Sequence, residues 1–92
     1  MLIRNHELRE AVAQLSTGNR PNQYYDNVSD WWQQLVAILL SHGHKPTFPE
    51  GPSVHNDEGR GHIHLEGTDS VVAWTWYRMP VSSRWEIVCY LT

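Results

Sequence analysis

The chain contains one cysteine, one phenylalanine and one lysine, and its longest uninterrupted apolar run is the six residues 35–40. A lone cysteine excludes an intramolecular disulfide and any multi-cysteine zinc site, and it suits a reducing compartment. An apolar run this short excludes a bilayer-crossing helix, which needs about 20 residues. The opening Met1-Leu2-Ile3-Arg4-Asn5-His6-Glu7 lacks the apolar stretch of a secretory signal. The expected setting is therefore cytoplasmic, with no membrane partner. An excess of base is missing too. Seven basic against ten acidic residues give a net charge of −3 and a pI near 6.0. That is not the electrostatic footprint of a general nucleic-acid binder, so free nucleic acid is not an expected partner.

What the chain does have is size for one domain, 1–92, and a composition that packs: 40% hydrophobic against 18% charged residues argues for a globule rather than disorder. A domain this small buries roughly 60–65% of the surface its unfolded chain exposes, so it folds with little stability to spare. Five Trp and four Tyr stand against the single Phe, and six of the seven basic residues are Arg. Arg is the side chain for planar, bidentate and stacked contacts, where a merely soluble surface would use Lys equally well. The net negative charge sits in the second half, where Arg60, Arg78 and Arg84 face Glu50, Asp57, Glu58, Glu66, Asp69 and Glu86.

Leu8, Ala11, Val12 and Leu15 fall at i, i+3, i+4 and i+7, which predicts a helix over about 5–16 with Asn5 as N-cap and Gly18 as terminator. A second helix over about 29–42 carries the stripe Trp32, Leu35, Val36, Leu39 and Leu40, with Trp31, Leu35 and Ile38 on an adjoining line and Gly43 just past its end. Asn27-Val28-Ser29 matches a glycosylation acceptor but reads better as helix-start chemistry. The loop over 44–61 holds three prolines and three glycines; its length is unusual for a compact domain.

From residue 62 the period changes to two, predicting strands over about 62–66, 70–79 and 84–91. Gly67-Thr68 suits a type II′ hairpin and residues 80–83 a four-residue loop. That register puts Ile63, Leu65, Val72, Trp74, Trp76, Trp85, Ile87, Cys89 and Leu91 on one face. His62, His64, Ala73, Thr75, Tyr77, Met79, Arg84, Glu86, Val88 and Tyr90 share the other. The expected fold is α+β: two N-terminal helices packed on one face of a three-stranded antiparallel meander, with room for a short fourth strand near residues 53–55.

Three kinds of chemistry can be weighed against this frame. His42, His44, His55, His62 and His64 crowd one stretch. Residues i and i+2 of a strand project from one face about 6.5–7 Å apart, so His62 and His64 are the pair that could share a metal. The plainer reading is a wet sheet face, and neither a metal nor another cofactor is expected. A nucleophile would need Ser or Cys beside His and an orienting carboxylate. Cys89 falls on the core face, Ser82 and Ser83 fall in a turn, and no Gly-x-Ser-x-Gly or phosphate loop is present, so an enzyme is not expected. Tyr77, Tyr90 and Arg84 could form a stacking platform for bases, but Glu86 shares their face and a nucleic-acid-binding module ranks second. Protein recognition ranks first, because Trp, Tyr and Arg are the typical hot-spot residues. The residues expected to bind a partner are Trp31, Tyr77, Arg84, Tyr90, Arg78 and Arg60. Trp32, Trp74 and Trp76 are expected in the core, Trp31 or Trp85 as an exposed anchor, and Arg78 as a cation–π cover on Trp85.

In size and character, as one compact domain without a catalytic motif that ends inside its last strand at Tyr90-Leu91-Thr92, the chain resembles the small phage-encoded anti-CRISPR inhibitors. The resemblance spans the whole chain and rests on no particular motif, so it transfers no functional residue. It implies a non-enzymatic inhibitor in the bacterial host cytoplasm. Such a protein binds a host defence protein or ribonucleoprotein complex such as a CRISPR effector, contacting Cas subunits with guide RNA and blocking target DNA.

Overall fold

The computed structural model describes residues 2–17, 24–47 and 51–92. Each helix begins where a capping side chain precedes an apolar stripe: α1 is His6–Gln14 and α2 is Val28–Ser41. The Asn5 side chain accepts from the Leu8 N–H at 3.1 Å and that of Asn27 from the Asp30 N–H at 2.8 Å. Each satisfies a donor that the helix start leaves open, and Asn27 is thereby a cap. α2 closes in a Schellman motif. The His44 N–H donates to the Leu39 carbonyl at 2.9 Å, and the N–H of Gly43, at φ 79°, donates to the Leu40 carbonyl at 3.0 Å. Gly18, expected to end α1, lies outside the described residues. No helix of the described residues is long and apolar enough to cross a membrane.

The strands β1 (Glu58–His64), β2 (Val71–Arg78) and β3 (Trp85–Leu91) pair in the order β1-β2-β3, all antiparallel. The class is α+β, with the helices on one face of a meander. Ile63 lies opposite Val72, Trp74 opposite Cys89 and Trp76 opposite Ile87. The face expected from alternation is the face that is buried, with Trp76 and Trp85 half-buried at its end. Residues 80–83 form the four-residue loop, closed by the Met79 N–H on the Arg84 carbonyl at 2.7 Å. In the other hairpin the Thr68 N–H donates to the Leu65 carbonyl at 3.1 Å, so Gly67 takes the third turn position rather than the second. Residues 53–55 are not a strand; beyond the three strands the described residues add two isolated antiparallel bridges, Pro46 with Leu65 and Tyr25 with Trp85.

β1 starts at Glu58, four residues earlier than the sequence suggests. The segment Gly59-Arg60-Gly61 reads as loop because its inward positions carry no side chain. Their place is taken from β2: Trp76 lies opposite Gly59 and Trp74 opposite Gly61, and a Cβ on Gly61 would sit 2.8 Å from Trp74 Cζ2. The glycines are there for close approach of the two indoles.

The exposed anchor expected at Trp31 is a core residue, 0% exposed. α2 presents the line Trp31, Leu35 and Leu39 to the sheet, and Trp31 meets Trp74 edge-on with ring centroids 5.3 Å apart. Trp32 is buried as well, because Gly51, Pro52 and Val54 come back against it, and it contacts Trp74 at 5.7 Å. Leu40, expected in the core stripe, is exposed. Edge-to-face packing of this Trp trio stabilises beyond area burial. Among the described residues the buried indole N–H of Trp74 has no acceptor, which costs about 1–3 kcal/mol in desolvation.

The outer edge of β3 is closed by side chains and backbone of the N-terminal third. Arg9 donates to the Leu91 carbonyl at 3.0 Å and to the Ile3 carbonyl at 2.8 Å, so it staples α1 and the N-terminal segment to the end of β3. The Ser16 hydroxyl accepts from the Cys89 N–H at 2.8 Å and donates to the Cys89 carbonyl at 3.0 Å. Thr17 reaches the Ile87 carbonyl at 3.4 Å, and Tyr25 exchanges backbone bonds with Trp85 at 3.0 and 2.8 Å.

Candidate functional site

With both helices on one side, the other face of the sheet carries no covering element among the described residues. Register arranges it as four rows across β1, β2 and β3: Glu58, Tyr77 and Glu86; Arg60, Thr75 and Val88; His62, Ala73 and Tyr90; His64, Val71 and Thr92. Small or short side chains occupy most of the middle column. The face is therefore a trough along β2, with a basic and imidazole wall on β1 and an apolar, aromatic wall on β3. A shallow concavity of about 510 Å³ opens where Arg60, Thr75, Tyr77, Glu86 and Val88 meet. Tyr77 (44% exposed), Val88 (43%) and Tyr90 (54%) present large apolar area to solvent. Clustered exposure of this kind marks recognition surfaces, whereas scattered apolar residues need no explanation.

The expected partner-binding residues divide accordingly. Tyr77, Tyr90 and Arg60 share the trough. Arg84 stands at its rim, where its Nε donates to Asp26 Oδ1 at 3.1 Å. Both partners are largely solvated, so the pair orients the guanidinium more than it stabilises the fold. Arg78 is on the helix side instead. Its guanidinium carbon lies 5.6 Å from the Trp85 ring centroid, and Nη1 lies 3.9 Å from Asp57 Oδ1. That is the cation–π cover the hairpin register predicts, and it removes Arg78 from the trough. Trp31 is removed by its burial.

The His62 and His64 rings lie edge to face with centroids 5.7 Å apart, both exposed on the β1 wall. Among the described residues no group of three or more His, Cys, Asp or Glu is placed to hold a metal ion. Cys89 sits under α1, where its Sγ donates to the Val12 carbonyl at 3.2 Å. Burial pushes its thiol pKa up, against smaller opposing effects of Trp31 and Ser16, so the reactive thiolate is disfavoured.

Sequence reasoning missed the hairpin tip. Val81 is 98% exposed and, with Tyr24, Met79, Pro80 and Arg84, lines an apolar groove of about 490 Å³ at the end of the trough. A loop read only for its turn residues conceals this, although an apolar residue after Pro80 was a visible signal. The trough and the tip together make one continuous aromatic and arginine surface at the β2–β3 end. Set against known proteins, the chain matches no family model, no curated protein and no solved structure, so this surface has to be read from its own chemistry.

Proposed function

We propose that this is a non-enzymatic binding protein that seats the uncovered sheet face on a protein surface, acting as an inhibitor of a host defence ribonucleoprotein such as a CRISPR effector and blocking its target DNA. The observation that carries the binding reading is the cluster Tyr77, Val88 and Tyr90, exposed on a face that packing does not require. Tyr contributes rigid, amphipathic contact area, the composition found at protein hot spots. Charge favours protein over free nucleic acid: Glu58 and Glu86 flank Tyr77 at one end of the trough, so a phosphate backbone laid along it would meet two carboxylates against Arg60 and the Asp26-paired Arg84 at the rim. The inhibitor reading is supported by the size and character of the chain.

The test is binding of target DNA by a purified guide-loaded effector with and without the protein. Addition should abolish DNA binding, and Tyr77→Ala with Tyr90→Ala should reverse that effect while leaving the melting temperature within a few degrees. Undiminished DNA binding in the presence of excess protein would remove the inhibitor reading. Salt-sensitive retention of free DNA or RNA by the protein alone would replace it with a nucleic-acid-binding module.

A further inference from the structure

The two edges of the sheet are treated differently. On β3 the outward backbone groups of Trp85, Cys89 and Leu91 are engaged by Tyr25, Ser16 and Arg9. On β1, pairing with β2 turns Glu58, Arg60 and His62 outward, and their outward N–H and carbonyl groups have no partner among the described residues. Thr47 and Lys45 close only the far end, at His64 and Glu66. Soluble proteins blunt an open edge with proline, a bulge, a covering element, or charged side chains, lysine above all, that repel a second strand. β1 has no proline and no lysine, its register with β2 runs unbroken, and its two charged side chains, Glu58 and Arg60, are opposite in sign, so they complement rather than repel a second copy of the strand.

We propose that β1 pairs antiparallel with β1 of a second copy, about a two-fold axis at Gly59, joining two sheets into one of six strands. This inference stands apart from the partner proposed above. In that register Glu58 lies directly opposite Arg60 of the other copy, twice, on the uncovered face. The outward groups of both residues then exchange hydrogen bonds across the axis. Among the described residues no ion pair or side-chain hydrogen bond engages Glu58 or Arg60, so both side chains face the edge without a partner of their own chain there. On the helix side, the half-buried Trp76 reaches over Gly59 toward the edge. With strands about 4.8 Å apart, the two indoles meet across the axis and cover each other's exposed edge.

Sedimentation equilibrium of the full chain tests this. A small interface of this kind gives a weak dimer, with dissociation in the range of about 10–100 μM. Glu58→Arg alone and Arg60→Glu alone each place like charges opposite one another twice, and each should weaken self-association at least tenfold. An equimolar mixture of the two variants restores both opposite-charge pairs and should recover the dimer. Both substitutions are on exposed side chains, and circular dichroism confirms that the fold is retained. A wild-type chain that stays monomeric to about 1 mM, single variants that dimerise like wild type, or a mixture that fails to associate would each overturn the proposal.

Discussion

Gly61→Ala should destabilise the protein more than Gly59→Ala, even though the added methyl group at Gly59 meets its neighbouring indole sooner. At Gly61 a Cβ falls 2.8 Å from Trp74 Cζ2 and 2.9 Å from Cε2 and Nε1, well inside van der Waals contact. Trp74 has nowhere to go: it is held edge-on between Trp31 and Trp32, with centroids at 5.3 and 5.7 Å. Overpacking a fixed core costs about 1–3 kcal/mol. The gain from replacing glycine within a strand, roughly 0.5–1 kcal/mol, offsets part of this. The expected net loss is about 1–2 kcal/mol, which for a domain of this size lowers the melting temperature by roughly 5–15 °C. At Gly59 the obstructing ring is Trp76, half-buried and held by an indole N–H donated to the Asn56 carbonyl at 3.3 Å. It can swing toward solvent for the loss of that one bond, worth about 1 kcal/mol, so Gly59→Ala should be nearly neutral. Thermal and urea unfolding of both variants measure the difference. Trp74→Phe introduced with Gly61→Ala should cost less than the sum of the two changes, since they act on one contact. Equal stabilities, or a larger loss at Gly59, would show that the glycines are not there for the indoles.

Ser16→Ala strips the Cys89 N–H and carbonyl of their shared partner and should cost about 1–3 kcal/mol, with faster amide hydrogen exchange at Cys89 than at Tyr90 as its local signature. Burial raises the Cys89 pKa above its unfolded value, so the stability linked to the protonated thiol is complete below the ordinary thiol range and is lost as pH rises past about 8–9. Unfolding free energies of wild type and Cys89→Ala should therefore converge as pH climbs from 7 to 10, and a constant gap would contradict the burial argument.

The sheet was legible from the sequence because alternation and two short turns fix its register, and a slip of one residue would put Trp74 and Cys89 in water. Two features escaped for physical reasons. The start of β1 was invisible because its inward positions are Gly59 and Gly61, and the apolar signal for that stretch is displaced onto Trp74 and Trp76, which serve two strands each. The burial of Trp31 was invisible because Trp31 and Trp32 are adjacent on a helix, about 100° apart. The helix periodicity supports either line facing the sheet. Both are buried, because α2 turns Trp31 to the sheet while residues 51–54 fold back over Trp32, and that second contact has no local signature. The trough was half legible: Tyr77 and Tyr90 follow from parity, Arg60 reaches the same face only because β1 starts at Glu58 rather than at His62, and the removal of Arg78 follows from the same parity applied to its cross-strand neighbour Trp85.

The asymmetry of the two edges ties the candidate surfaces together. The polar side chains of the N-terminal third, Arg9, Ser16 and Thr17, point at β3 and seal it, so that edge is committed to the fold. What stays available is β1 and the trough, and they share a wall, because Glu58 and Arg60 belong to the open edge and to the uncovered face at once. Self-pairing through β1 would set two troughs side by side on one continuous face, doubling the aromatic area offered to a partner without adding a residue. A partner that reached over the β1 wall would instead compete with the second copy. Titrating the partner into protein above and below its dimerisation range separates these cases. Tighter binding above the range marks a partner that spans both troughs, and weaker binding marks one that takes the edge for itself.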